Sequence, residues 1–273
     1  MIVNTDEKRV RRMKRSKALQ FDCKGIHSPC VQWADTPEDL KQAFTLVHDE
    51  YLKLGYIREP DPSGMFFGIH NLLPETVSLV VKSDGKVVAT LTQVADSTEY
   101  GLPMDRIYSR ELNQLRHKGR KLAELCSLVT SKQLRWKNLY MQMSRIMYTH
   151  ALCNGVDDFC IMVNPKHVPF YKLIFLFEEL GPEKHYPTLG VPAVALRADL
   201  NRMKARLDNK YGALDRECNL FHYMHGGKDS GYEFPWANDL LPPRGMPSEM
   251  MSFFGMAYDS ASNGWAVAAA VGA

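Results

Sequence analysis

The sequence lacks the patterns by which a chain usually holds a metal or crosses a membrane. Its six cysteines contain no CxxC pair and its nine histidines no HxxxH pair, so we predict no metal site. No run approaches the roughly 18 apolar residues of a membrane-spanning helix. The pattern of unpaired thiols is typical of a protein in the reducing cytoplasm, and we expect it there.

A strong net charge is also missing. The net charge of +3 on 273 residues is too small to indicate nucleic acid as a partner. The basic residues are unevenly distributed along the chain, however, because residues 8–17 carry seven of the 34 lysines and arginines. This stretch is either a solvated, disordered arm or a docking arm for an acidic partner such as a carrier protein, a membrane surface or RNA.

What remains is a globular chain with 45% hydrophobic residues, enough for a sizeable core. We predict three parts: a flexible basic arm over 1–30, one domain over 31–200, and a C-terminal helix with a flexible extension over 201–273. Thr36 and Pro37 open a helix with one apolar stripe, and Asp84-Gly85 joins two strands as a hairpin. Helices and strands then alternate, although we assign no regular structure to FEELGPEKHY (177–186). The order predicts an α/β fold with a mixed, mostly antiparallel sheet flanked by helices.

The segment LAELCSLVTSKQLRWKN (122–138) carries two unusual features. Glu124 lies inside an apolar strand, and the loop from this strand to the next helix contains no glycine. A glycine-rich turn at this point would grip a pyrophosphate through backbone N–H groups. This loop instead offers Lys132, Arg135 and Lys137, which makes it either a plain connector or a contact for an acidic partner.

The element order resembles the GNAT acyltransferase fold. The run DSTEYGLPMDRIYSRELNQLRHKGRKLAELCSL is similar to the long-chain N-acyl amino acid synthases of the FeeM type, which are related to the acyl-homoserine lactone synthases. The matching residues are Asp96, Ser97, Gly101, Leu102, Pro103, Asp105, Tyr108, Glu111, Leu115, Arg116, Gly119, Glu124 and Ser127. A second block resembles the family at His167, Phe170, Tyr171, Gly181, Pro182, Tyr186 and Pro192.

The resemblance implies an enzyme that joins a fatty acyl group to the α-amino group of an amino acid, with an aromatic acceptor as one option. It also implies no bound cofactor, with the acyl-phosphopantetheine of acyl carrier protein as the donor substrate. This donor lacks the pyrophosphate of coenzyme A. The glycine-free loop with Lys132, Arg135 and Lys137 suits an acidic carrier, and the basic arm offers a further contact with a membrane. The alternatives are a lactone synthase that uses S-adenosylmethionine, and a non-catalytic carrier- or membrane-binding module.

Glu124 is the predicted general base, because an ammonium group must lose a proton before it attacks a thioester. Strand alternation places 122, 124, 126 and 128 on one face, and we expect Leu122, Leu125 and Leu128 to desolvate the carboxylate. Backbone N–H groups of Leu125, Cys126 and Ser127 are the predicted oxyanion donors. A covalent acyl-enzyme on Cys126 or Ser127 is disfavoured, since no histidine follows at a recognisable spacing.

Other site residues have structural alternatives. Arg116 or Arg120 either binds the acceptor's carboxylate or is a solvated cation at a helix end. Asp96 and Ser97 either shape the acceptor pocket or cap a turn. His167 and Tyr171 either line the acyl pocket or pack in the core.

Overall fold

The computed structural model describes residues 5–20, 30–132, 139–226, 256–259 and 264–267. The α-helices are α1 (Thr5–Ser16), α2 (Pro37–Lys53), α3 (Asp105–Arg116), α4 (Leu139–Cys153), α5 (Val168–Ile174), α6 (Leu200–Tyr211) and α7 (Leu220–His225). The main strands are β1 (Cys30–Trp33), β2 (Val77–Ser83), β3 (Lys86–Ala95), β4 (Leu122–Thr130), β5 (Asp158–Val163), β6 (Glu178–Tyr186) and β7 (Val191–Asp199). β8 (Met256–Asp259) and β9 (Gly264–Val267) pair with each other in a second sheet.

The main sheet has the order β1-β2-β3-β4-β5-β7-β6. Only β4 and β5 run parallel, and every other described pair in this sheet is antiparallel. The predicted mixed, mostly antiparallel sheet is therefore confirmed. β4, the strand that contains Glu124, lies at its centre.

Local sequence accounts for the first half of the fold. The Thr36 hydroxyl accepts the N–H of Asp39 at 3.2 Å, and Pro37 opens α2, as predicted. Asp84 and Gly85 both have positive φ, +47° and +76°, which is the backbone of a tight two-residue hairpin turn. The predicted hairpin between β2 and β3 is therefore present.

The basic N-terminal segment is not a flexible arm over residues 5–16, where the expectation was wrong. Helix α1 buries Arg9 and Met13, with Met13 fully covered by the core. Arg9 Nε donates to the carbonyl of Leu173 at 2.9 Å, and its guanidinium lies 5.6 Å from the ring centre of Tyr211. Burial of the long stem of Arg9 beside an aromatic ring offsets the repulsion that a run of like charge suggests.

The segment without a predicted structure is strand β6, at the edge of the sheet. Its pairing with β7 shifts register on either side of Gly181, and most of its side chains are exposed. Such irregular, polar edge strands lack the alternation on which strand prediction depends.

The C-terminal part begins with the predicted helix, which is α6. α7 follows, and Leu220, Tyr223 and Met224 join the core cluster that also contains Met13. The extension predicted to be flexible falls mainly on residues outside those described. No helix in the described ranges is long and apolar enough to cross a membrane.

Gly181→Ala is expected to destabilise the fold by about 1–3 kcal/mol through overpacking. A Cβ at Gly181 would lie 2.8 Å from the ring of Tyr108, which is fully buried. The Tyr108 hydroxyl is also held within 2.8 Å of the carbonyl of Pro182 and 2.7 Å of that of Ala193, so the ring has little room to move. Urea unfolding measures the effect. Gly68→Ala, where a Cβ meets nothing within 4 Å, is the matched control, and equal losses in both variants would contradict the account.

Candidate active site

β4 and β5 separate immediately after Glu124. They pair at only three positions, of which Glu124–Cys160 is the last, whereas β5 continues to pair with β7 as far as Val163. Within the described residues, the backbone of β4 beyond Glu124 therefore has no ladder partner on its β5 side. We call this opening between the two strands the strand gap. It faces the carboxyl ends of both strands.

A β-bulge lies beside the strand gap on the other edge of β4. Cys126 pairs with Thr92 and Val129 with Thr90, so β4 takes three steps where β3 takes two. The extra residue is accommodated at Ser127, whose φ is +52°. The sequence offers no glycine to signal this left-handed conformation.

The bulge changes the surroundings expected for Glu124. Leu122 packs with Met104 and Cys160 on the side of the sheet that faces Glu124, as expected. Leu125 packs into clusters on the opposite face of the sheet and does not desolvate Glu124. Leu128 follows the bulge and is 38% exposed, so it does not desolvate Glu124. The predicted alternation was wrong at Leu128 because one inserted residue reverses the face of every residue after it.

Glu124 is nevertheless 1% exposed. Burial raises the pKa of its carboxyl from 4.5 to about 8, and the nearby negative charge of Asp105 acts in the same direction. One hydrogen bond opposes this change, since Oε2 accepts the N–H of Met104 at 2.8 Å. A carboxyl group with this pKa exchanges protons near neutral pH, as a general base must.

The loop that presents Met104 is held by Arg116. The guanidinium forms a double contact with Asp96, at 2.7 Å for each bond, and further bonds with Asp105 and Asn113. All five of its N–H groups are used. Asp105 in turn accepts the N–H of Leu102 at 2.7 Å, within the same loop. We call Asp96, Asp105 and Arg116 the loop clamp.

The loop clamp gives Arg116 and Asp96 a structural role. Arg116 has no N–H left for the carboxylate of an acceptor, and we do not place it in the acceptor site. Ser97 also serves the loop, because its hydroxyl accepts the N–H of Tyr100 at 3.0 Å. For both Asp96 and Ser97, the geometry favours the structural alternative that the sequence left open.

Arg120 lies just before β4, at the end of this strand that is opposite to the strand gap. It forms ion pairs with Asp158 and Asp199, the latter at 3.0 Å, and donates to the carbonyl of Asp157 at 3.0 Å. Asp158 pairs with Leu122 at the start of β4. The structure therefore does not bring Arg120 together with Glu124.

The predicted acyl-pocket residues differ in their surroundings. His167 is exposed, just before α5. Tyr171 belongs to an aromatic group with Phe170, Phe175 and Phe177, and burial raises the pKa of its hydroxyl to about 12. Phe170 also contacts Tyr140 at the start of α4, with ring centres 5.8 Å apart. Packing thus accounts for the position of Tyr171.

Two tyrosines near Glu124 were missed by the sequence reasoning. Burial raises the pKa values of Tyr51 and Tyr186, and the charge of Glu124 contributes to both increases. Tyr51 also lies 5.1 Å, between ring centres, from Phe66, which lines a cavity of about 410 Å³. In the sequence Tyr51 is part of the apolar stripe of α2. Tyr186 is among the residues of the family resemblance but ends the unassigned segment, so nothing in the sequence placed either tyrosine near Glu124.

Cys126→Ala is expected to keep at least about a third of wild-type kcat, because Cys126 is unsuited to attack a thioester. Burial, with the charge of Glu124 added, raises the pKa of its thiol to about 12. The thiolate is therefore scarce at neutral pH. Intact-protein mass spectrometry during turnover should show no acyl adduct in the wild type. An adduct that disappears in Cys126→Ala would contradict this expectation, and Cys153→Ala, at an exposed thiol, is the control.

The donor-side cations are only partly described. Lys132 is exposed just after β4, whereas Arg135 and Lys137 lie outside the described residues. No group of three or more histidine, cysteine, aspartate or glutamate side chains suited to a metal occurs in the described parts of the chain.

Comparison with known proteins identifies the family. The family model for the N-acyl amino acid synthase FeeM matches residues 42–199, more than half of the 273 residues. The chain belongs to the FeeM family of N-acyl amino acid synthases. It is an acyltransferase with the GNAT-like fold. No curated protein sequence matches the chain.

Solved structures agree with the family. The structure of FeeM, an N-acyl amino acid synthase from uncultured soil microbes, is 27% identical and covers 66% of this chain and 95% of its own, with a TM-score of 0.58. The coenzyme A-dependent acyl-homoserine lactone synthase BjaI, solved with S-adenosylmethionine and isopentyl-coenzyme A, is 17% identical. It covers 66% of this chain and 89% of its own with a TM-score of 0.50, which shows a shared fold alone.

Proposed function

We propose that this N-acyl amino acid synthase transfers a long-chain fatty acyl group from acyl carrier protein to the α-amino group of an amino acid. The observation that carries the proposal is Glu124, a buried carboxyl with a raised pKa at the point where β4 and β5 separate. The α-amino nitrogen forms an amide bond to the acyl carbon, and the bond from that carbon to the phosphopantetheine sulfur breaks.

The strand gap is the proposed site of the thioester. The backbone of β4 beyond Glu124 lacks a β5 partner, so N–H groups within Leu125, Cys126 and Ser127 are the proposed donors to the oxyanion. Such donors stabilise the negative charge that develops on the acyl oxygen as nitrogen attacks. The thiolate then leaves and takes up a proton.

Glu124 is the proposed base for the acceptor's ammonium group, directly or through one water. With a pKa of about 8, a useful fraction of the carboxyl is ionised at neutral pH and still basic enough to accept a proton. Tyr51 lies near Glu124 and beside Phe66, which lines the cavity together with Met65 and Phe67. We place the acceptor's side chain in this cavity, which Glu59 and Asp61 also line, because its aromatic residues Phe66 and Phe67 support an aromatic amino acid.

Acyl carrier protein is the proposed donor because the loop after β4 lacks a glycine to cradle the pyrophosphate of coenzyme A. The exposed Lys132 adds positive charge there, and we retain Arg135 and Lys137 as proposed carrier contacts. His167 and Tyr171 stay proposed boundaries of the acyl pocket. We place the reaction in the cytoplasm, consistent with free thiols at all five described cysteines.

To test this, purified protein is incubated with a mixture of the twenty amino acids and with a palmitoyl thioester of either acyl carrier protein or coenzyme A. Liquid chromatography with mass spectrometry identifies the amides. We expect N-acyl amino acids from the carrier-bound donor, with an aromatic acceptor dominant. Equal rates from coenzyme A would overturn the choice of donor. Product only when S-adenosylmethionine is added would indicate a lactone synthase.

A further inference from the structure

Helix α1 lies outside the residues that match the family, and it has two distinct faces. Arg9 and Met13 point into the core, with Val10 packed beside them. The opposite face carries four exposed cations with helical spacing i, i+3, i+4 and i+7, which we call the basic stripe: Lys8, Arg11, Arg12 and Arg15. None of the four forms an ion pair with another residue of the described chain.

The contacts of α1 fix its direction. The guanidinium of Arg12 lies 5.2 Å from the ring centre of Phe170, early in α5, whereas Arg9 donates to the carbonyl of Leu173, late in α5. The two helices therefore run in opposite directions. As a result, Arg15 extends towards the start of α5.

The start of α5 lies at the mouth of the strand gap. β4 and β5 are parallel, so their carboxyl ends meet at the same edge of the sheet, and α5 follows β5 after a single turn at Pro165–His167. Phe170 bridges Arg12 and Tyr140, which opens α4 on the other side of the loop after β4. The exposed Lys132 and Lys166 follow β4 and β5 at this edge. The basic stripe thus extends a positive surface beside the proposed donor entrance.

We propose that the basic stripe docks the acidic surface of the acyl carrier protein and aligns its phosphopantetheine with the strand gap. The inference rests on the proposed function and deepens it, because it names the surface that selects a carrier-bound thioester. Surface charges of this kind speed encounter and orient the partner, and salt weakens them.

A protein partner fits α1 better than a lipid surface. A helix that lies in a membrane interface inserts exposed apolar side chains beside its cations. In α1 the apolar side chains Val10 and Met13 are packed into the protein. The outward face therefore offers charge without a group to insert.

The experiment reverses two charges of the stripe in the full-length protein, as Arg11→Glu with Arg15→Glu. Arg12 is kept because it packs on Phe170. The control is Lys118→Glu with Arg202→Glu, an equal change of charge at exposed cations at the opposite edge, near the starts of β4 and α6. Circular dichroism and thermal unfolding verify that both variants fold. Binding of acyl carrier protein is measured by titration, and rates are measured with acyl carrier protein and with acyl-pantetheine.

We expect the stripe variant to bind acyl carrier protein about tenfold more weakly and to show a matching increase in KM, with kcat nearly unchanged. Rates with acyl-pantetheine, which lacks the protein, should stay at the wild-type value. Unchanged carrier binding, or an equal loss in the control, would overturn the proposal. So would a variant that loses only its binding to vesicles containing phosphatidylglycerol. Because binding is measured without turnover, failure of the proposed reaction would appear separately, as a wild type that binds carrier and forms no amide.

Discussion

Glu124→Gln is expected to lower kcat/KM by about 10² to 10⁴-fold, the usual contribution of a general base. The amide has a similar shape, and its oxygen can still accept the Met104 N–H that Glu124 holds at 2.8 Å, but it cannot take a proton from the acceptor. In the wild type, kcat/KM should rise with pH through a midpoint near 8, the pKa of Glu124, and then level off. Steady-state rates from pH 6 to 10 measure both effects. A variant that keeps wild-type rates and the same midpoint would exclude Glu124 as the base.

The same substitution should make the protein more stable at high pH, which separates lost chemistry from lost folding. Glu124 has a pKa of about 8 when folded against 4.5 as its ordinary value. Its carboxyl therefore destabilises the fold once pH exceeds the unfolded value, and the cost grows until pH passes about 8. We expect Glu124→Gln to gain about 2–4 kcal/mol at pH 8 and almost nothing below pH 4.5. Urea unfolding at both pH values measures this.

Arg116→Ala is expected to destabilise the protein by about 2–4 kcal/mol, since it leaves the carboxylates of Asp96 and Asp105 without their counter-charge. These side chains are 13% and 21% exposed. The unneutralised charge of Asp105 should also raise the pKa of Glu124 further, because Asp105 already acts in that direction. The midpoint of the pH–rate profile should then move above that of the wild type. Urea unfolding and the pH profile measure the two effects.

Two further variants serve as controls for Arg116→Ala. Arg116→Lys keeps the charge without the double contact, so we expect a smaller loss of stability and a midpoint close to the wild type. Arg110→Ala, at an exposed arginine on the same helix, should stay within about 0.5 kcal/mol of the wild type. If Arg116→Ala behaved like Arg110→Ala, the loop clamp would have no measurable role.

Local patterns in the sequence predicted much of the fold. α2 and the β2–β3 hairpin follow from the cap at Thr36 and the turn at Asp84-Gly85, which are local signals. β6 escaped prediction because its bulges and exposed side chains remove the two-residue period. α1 escaped because its docking depends on Arg9, whose burial requires a carbonyl and an aromatic ring from residues more than 160 positions away.

The sequence indicated the buried carboxyl of Glu124 but not the residues that surround it. A glutamate in an apolar strand is itself a signal, since a buried carboxylate is costly unless it has a use or a partner. The role of Arg116 was not predictable, because Asp96 and Asp105 come within its reach only when β3, α3 and their connecting loop have folded. The bulge at Ser127 was also hidden, as serine carries no mark of positive φ.

The packing of α1 also determines the order of events during synthesis. The carbonyl of Val10 lies against Cys218, 208 positions later, and Arg9 contacts Leu173 and Tyr211. The ribosome makes α1 early, yet the surface that receives it is incomplete until some two hundred further residues have emerged. Chains usually fold in segments as they leave the ribosome. Here α1 cannot complete its contacts until residues up to Cys218 have been made, so α1 docks late in the formation of the core.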